Sequence, residues 1–307
     1  MNEASLNGLL EDFEMKVTKR YKIDQSTLRD VFLDCVQKNI ELAALIEREN
    51  DIKKIKRTKI YSKFENSLKK KIYMDLRRYY QNKEEIEEKL SDLFEARSTT
   101  LTNKTMLTDD PLDPLQNLLL SHVSTKERIH DCDILYDTLS PYLDNTDNII
   151  DIGCGIHPLL AYRQLKKELS SLRHYIAIDK DQTSIKIVNS FAELNNQQSL
   201  IAHKWDLAGG WNDLYKITGI KQYDFAFMMK LLPLLSKQNR ELVSNLKQTP
   251  AKFILVTGSK TSLTKKINIE KRESAIINDF IQNVGWKKVH KINLSEEFGW
   301  IVQTNLK

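Results

Sequence analysis

The feature that most constrains this chain is the stretch Asn148-Ile149-Ile150-Asp151-Ile152-Gly153-Cys154-Gly155-Ile156-His157-Pro158. Ile149, Ile150 and Ile152 are apolar and β-branched, as a strand buried on both faces requires. Gly153 and Gly155 follow without a Cβ, so the chain can turn sharply and a ligand can approach the backbone. Pro158 suits the first turn of a helix, where its missing N–H is not needed. Strand, glycine turn and helix in this order place a ligand at the carboxyl end of the first strand of a doubly wound sheet. A turn that binds nothing has the same two glycines, so the rest of the chain must decide.

From Asn148 onward the pattern alternates. It predicts strands at 148–152, 174–178, 200–205, 223–228, 252–257, 286–292 and 299–305, and helices at 158–170, 181–194, 237–247 and 266–284. Such alternation gives a parallel sheet covered on both faces. The last two strands are too close for a crossover helix and must form an antiparallel hairpin. A doubly wound, mostly parallel seven-stranded α/β sheet ending in a hairpin is more typical of class I S-adenosylmethionine (SAM)-dependent methyltransferases than of nicotinamide enzymes, and the class I fold is the expectation.

Ahead of this part, residues 3–97 carry helical periodicity, and Pro111 is the first proline. Apolar stripes run through Leu6 to Val17, Leu28 to Leu45, Ile55 to Leu76 and Ile86 to Phe94, with Asp24 to Thr27 as a cap for the second helix. The expectation is an all-helical domain over 1–110, closed by a Thr-, Asp- and Pro-rich linker at 98–113, and a methyltransferase domain over 111–307. Two further helices are expected at 115–122 and 125–143, with Ser124 and Glu127 forming a capping box. The segment 51–80 holds eleven cations, among them Lys53, Lys54, Lys56, Arg57, Lys69, Lys70 and Lys71, against Asp51, Glu65 and Asp75. It reads either as a solvated helix face or as a surface that neutralises RNA phosphates.

Several residues converge on a bound adenosine. Asp179 ends the second strand about twenty residues beyond the glycine turn, where a carboxylate can take both ribose hydroxyls. Asp206 ends the third strand and can accept from an adenine amino group, with Leu207 packed on the ring. For each aspartate the plain alternative is a helix cap. The third glycine of a dinucleotide fingerprint is replaced by Pro158, which disfavours NAD. Arg128 offers a fork for the carboxylate of SAM, unless it is a surface arginine. The run Met228-Met229-Lys230-Leu231-Leu232-Pro233-Leu234-Leu235 has neither the Asn/Asp-Pro-Pro-aromatic signature of amine methylation nor a cysteine nucleophile. It suits an acceptor that is already nucleophilic, with Lys230 orienting or neutralising it, unless Lys230 is a helix-start surface lysine.

Ser121-His122-Val123-Ser124-Thr125-Lys126-Glu127-Arg128-Ile129, Leu135-Tyr136-Asp137, Asp151 to Leu159 and Met229 to Leu235 occur in an order that resembles the aminoglycoside-resistance 16S ribosomal RNA methyltransferases acting on guanine N7 in the decoding site. The resemblance covers about residues 118–262. It implies SAM as cofactor with Arg128, Gly153, Asp179, Asp206 and Lys230 in its pocket, to which the reading of the turn and of the third strand's end adds Cys154, Gly155 and Leu207. It also implies Lys230 beside the reaction, Lys260 and Ser262 near the target base, and small-subunit 16S rRNA as partner. His157 stands where that family usually has asparagine, and Thr264 to Asn268 replace its glycine-rich loop.

The remaining composition sets limits. No run approaches a membrane span, and Met1 to Ser5 lack a signal-peptide pattern. Cys35, Cys132 and Cys154 are too scattered for a zinc site or a disulfide framework. The expectation is a cytoplasmic, metal-free monomer. Its competitors are a methyltransferase of another RNA or a small molecule, and a non-catalytic SAM-containing RNA-binding protein.

Overall fold

A computed structural model describes residues 2–19, 25–76, 89, 114–165, 172–238, 240–262 and 267–306. The chain forms two compact units, residues 1–79 with 261–268, and residues 80–260 with 269–307. The expected boundary at 110/111, the fourth helix apart from helical Lys89, the linker at 98–113, and Asp24, Arg77, Arg78 and Leu263 to Lys266 lie outside the described residues.

The helical unit contains α1 (Glu3–Thr18), α2 (Gln25–Gln37), α3 (Ile40–Arg48), α4 (Ile52–Arg57) and α5 (Lys59–Leu76). Its core is drawn from the first three stripes read from periodicity, with Leu9, Phe13, Leu28, Phe32, Leu42 and Ile55 fully buried, but Ile40 of the second stripe is exposed. Phe13, Phe32 and Phe64 pack ring to ring at centroid distances of 5.5 and 5.6 Å. Two expected long helices are each broken by a polar capping residue. Asn39 accepts the Leu42 N–H at 3.0 Å and starts α3. Thr58 donates to the Ile55 carbonyl at 2.7 Å and accepts the Tyr61 N–H at 3.2 Å, so the segment from 51 bends between α4 and α5.

In the second unit, the described residues from 114 onward open with α6 (Pro114–Ser121), α7 (Val123–Ile129) and α8 (Cys132–Leu143). The capping box expected at Ser124 does not form. His122 is the N-cap of α7 and makes no side-chain cap bond, leaving Ser124 inside the helix. The expected helix 125–143 breaks at Asp131, whose carboxylate accepts the Ser295 N–H and hydroxyl at 2.8 and 2.9 Å.

The strands are β1 (Asn148–Ile152), β2 (His174–Asp179), β3 (Leu200–Lys204), β4 (Tyr223–Met228), β5 (Ala251–Ser259), β6 (Lys287–Asn293) and β7 (Glu297–Gln303). They form one sheet in the order β3-β2-β1-β4-β5-β7-β6, with β7 antiparallel to both neighbours. All seven expected strands are present, and the final pair is the expected hairpin. Both faces are apolar: Ile149, Phe225 and Leu255 face one core layer, and Ile150, Ala226 and Ile254 face the other.

The covering helices differ more from the pattern. They are α9 (His157–Gln164), α10 (Gln182–Leu194), α11 (Gly210–Thr218), α12 (Leu231–Gln238), α13 (Arg240–Leu246) and α14 (Glu270–Val284). Leu231 to Leu235, expected as a connection, begin α12. Pro233 lies in its first turn, where proline is tolerated. Strand order reverses between β1, which leads to β2 and β3, and β4. That is the switch point where such sheets bind ligands.

Candidate active site

The glycine turn is built on the end of β2. The Gly153 and Cys154 N–H groups both donate to the Ile178 carbonyl, at 2.8 and 3.1 Å. Gly153 and Gly155 have φ of +67° and +51°, the left-handed region that glycine enters without a Cβ penalty. A Cβ on Gly155 would stand 2.9 Å from the His122 ring. His122 is buried against the turn, its Nδ1 3.1 Å from the Thr125 hydroxyl. Burial first, then Arg128, push its pKa down to about 3, so the ring is neutral.

Asp179 closes the turn. One carboxylate oxygen accepts the Gly155 N–H and the other the Asp181 N–H, both at 2.9 Å. Burial raises its pKa, and the two amides oppose that rise. Each oxygen keeps a further lone pair for a hydroxyl donor. Asp206, by contrast, is exposed. One of its oxygens caps the 3₁₀ turn Leu207–Gly209 through the Ala208 N–H at 3.0 Å. Its capping role is therefore realised, beside a place at the carboxyl end of β3. Leu207 packs against the core layer beneath. Cys154 is buried, and burial pushes its thiol well up, so it is no nucleophile.

Arg128 is neither a surface arginine nor an open fork. It is 3% exposed, and its Nε and Nη2 donate to the two oxygens of Glu297, each at 3.0 Å. Glu297 also accepts from the Thr257 hydroxyl at 2.6 Å. Although burial alone would raise its pKa, Arg128 and Lys230 hold it down at about 2. Lys230 lies two residues past β4 at φ +56°, a conformation that is uncommon for a residue with a side chain. Its Nζ lies 2.7 Å from Glu127 and 3.7 Å from Glu297. Glu127, Lys230, Glu297 and Arg128 thus alternate in charge and form an electrically balanced, mutually paired cluster.

The cations assigned to RNA separate into two groups. Lys54, Lys56, Lys69 and Lys71 are ion-paired to Glu49, Asp12, Glu65 and Asp34. Lys53, Arg57 and Lys70 are exposed, as are Lys59 and Lys63, and none of these has an ion pair among the described residues. Lys59, Lys63 and Lys70 lie four and seven residues apart along α5, on one helical face. Lys260 is half-buried at the end of β5, its backbone bonded to Glu296 and Ile269. Ser262 lies between Thr261 and Asn268, which form a two-residue bridge.

A family model described as ribosomal RNA methyltransferase (FmrO) matches residues 112–301. The chain belongs to this family. The matched region contains the glycine turn, Asp179, Asp206 and the charged cluster. A 16S rRNA (guanine(1405)-N(7))-methyltransferase of Serratia marcescens is 27% identical over 124 residues, 40% of this chain and 43% of that protein. The match therefore spans less than half of that relative's length. Among solved structures, the 16S rRNA methyltransferase RmtF in complex with S-adenosyl-L-homocysteine has a TM-score of 0.58 at 18% identity, over 99% of this chain and 100% of its own. The 16S rRNA methylase ArmA has a TM-score of 0.51 at 20% identity, over 70% of this chain and 97% of its own. At these identities the likeness is one of fold.

Sequence reasoning missed Glu297, Thr257 and His122. Glu297 sits in a strand 169 residues from Arg128, with no local signal of a partner. His122 leaves one trace, the glycine at 155 that makes room for its ring.

Proposed function

We propose that this protein is a SAM-dependent methyltransferase acting on guanine N7 of small-subunit 16S rRNA, working as a cytoplasmic monomer, with the helical unit docking on folded RNA. The observation that carries the reading is the match to an rRNA methyltransferase family over residues 112–301, the part that holds the glycine turn and the strand-end acids. The residues fit the cofactor: two glycines let the turn take positive φ at the carboxyl end of β1, and Asp179 keeps acceptor capacity toward it.

SAM, when bound, supplies an electrophilic methyl group on a sulfonium. Asp179 would accept from the ribose hydroxyls, and the turn's backbone would carry the amino-acid end. Lys230 and Glu127 would orient the groups around the acceptor. Guanine N7 has a free lone pair and no proton to remove, so the chain needs no general base. Positioning in a dry site supplies the rate enhancement. N7 faces the deep, narrow major groove of A-form RNA, so the target guanine must be extruded into the site. The ion pairs of Lys54, Lys56, Lys69 and Lys71 are worth at most about 1 kcal/mol each and yield readily to phosphate.

Calorimetry with SAM tests the cofactor assignment. The intact protein should bind, and Asp179→Ala should weaken binding by on the order of 1–3 kcal/mol through lost charge-assisted hydrogen bonds. Absence of binding by the intact protein rejects the assignment, and equal affinity in the variant rejects only the ribose role.

A further inference from the structure

His157 is the first residue of α9, yet its side chain does not cap the helix. It reaches back across the glycine turn. Its Nδ1–H donates to Asp151 Oδ2 at 2.6 Å, and Asp151 is the last-but-one residue of β1. This bond closes a loop over Ile152 to Ile156, the five residues of the cofactor turn. The other ring nitrogen, Nε2, accepts from the Tyr136 hydroxyl of α8 at 2.7 Å. The Tyr175 hydroxyl of β2 donates to the same Asp151 oxygen at 3.1 Å. Phe227 of β4 packs edge-on against the imidazole at 4.8 Å.

Asp151, His157, Tyr136 and Tyr175 are each at most 3% exposed. A buried polar chain of this kind is costly unless every member is bonded. Here both imidazole nitrogens and both hydroxyls have partners, with the Nδ1–H tautomer required because an ionised carboxylate only accepts. The chain ties α8, β1, β2 and the start of α9 to one another around the turn. The ring's burial and enclosure leave it no access to a reacting atom.

From this geometry we infer that His157 is a positioning residue: with Asp151 and Tyr136 it staples the two ends of the glycine turn and presets the backbone of Gly153 and Gly155 for the cofactor. The inference rests on the reading of that turn as the SAM site. Its action is preorganisation: a turn already in its bound shape loses less freedom on binding. Asparagine at 157 can keep the Asp151 bond, since its amide nitrogen reaches the place of Nδ1, but it cannot reach Tyr136.

The test uses the full-length protein and its His157→Leu, His157→Asn and Tyr136→Phe variants. Two quantities are measured: SAM dissociation constants by calorimetry, and hydrogen exchange of the 152–156 amides without ligand. His157→Leu should raise the dissociation constant about ten-fold or more, and His157→Asn should restore it to within about three-fold of wild type. Tyr136→Phe, which removes one hydroxyl and keeps the ring, should weaken binding about three-fold and speed exchange at the turn. It carries the test if His157→Leu does not fold. The inference is overturned if turn exchange and SAM affinity match wild type in Tyr136→Phe and in whichever His157 variants fold, even with a lowered melting temperature. If the wild-type protein does not bind SAM, the cofactor reading fails on its own. The exchange data then still decide the staple: faster exchange in the variants supports it, and unchanged exchange removes it.

Discussion

Replacing Arg128 with alanine should destabilise the sheet unit severely. Arg128 and Glu297 are both 3% exposed, and the guanidinium uses two nitrogens on one carboxylate. Removing the cation leaves Glu297 buried with Thr257 and a lysine 3.7 Å away. Breaking a buried pair from one side costs about 3–5 kcal/mol. On the acid side, against the upward push of burial, Arg128 and Lys230 hold Glu297 down at about 2, against an ordinary 4.5. Because its pKa is depressed in the fold, this stabilisation is complete above pH 4.5. It is lost as pH falls through that value toward 2, where the unfolded chain binds the proton first.

The assay is urea unfolding followed by tryptophan emission. Trp205, Trp211, Trp286 and Trp300 are the only tryptophans, and all lie in the sheet unit, so the signal reports that unit alone. The double change Arg128→Met with Glu297→Leu should return to within about 1–2 kcal/mol of wild type, because a well-packed apolar pair substitutes for a desolvated ionic one. Thr257 keeps a hydrogen bond there, since its hydroxyl also accepts the Lys230 N–H at 3.1 Å. A loss under about 1 kcal/mol in Arg128→Ala would match an exposed pair and refute the argument. So would a double variant no more stable than the single one.

Two further outcomes follow from the same geometry. His122 is held down to about 3 while the unfolded histidine titrates near 6.5, so the sheet unit should lose stability as pH falls below 6.5, levelling only near 3. His122→Gln should flatten that limb, which melts at pH 7 and pH 5 will show. In the helical unit, changing Lys53, Arg57, Lys63 and Lys70 to glutamate should weaken RNA binding and flatten its salt dependence, with SAM affinity unchanged, because fewer counterions are released. Affinity measured at several salt concentrations checks this, and an unchanged slope would remove these residues from the RNA contact.

The sheet was legible because its strands are short runs such as Asn148–Ile152 and Tyr223–Met228, apolar on both faces, as buried parallel strands must be. Asp179 was legible by its spacing from the glycines. The breaks at Asn39 and Thr58 carried a signal in their residue types, but continuous apolar stripes outweighed it. Ser124 was misread because sequence spacing cannot show that His122 is held against Gly155 and sets the helix start there. Glu297 was invisible because its partner is chosen by the register of β7 on β5, which places it beside Ser259 at the end of β5. Arg128 was singled out by type, but the burial that decides its role comes from that long-range contact.

The reaction proposed is methyl transfer to guanine N7 in the small ribosomal subunit. Its most direct test is to incubate the protein and methyl-labelled SAM with small subunits, large subunits and tRNA, then locate any label by chain cleavage at N7-methylguanosine. Label is expected in small-subunit rRNA alone, at one guanine, and reduced in Asp179→Ala at limiting SAM. Label in another RNA, on another atom, or in none of the substrates despite SAM binding would contradict the proposal.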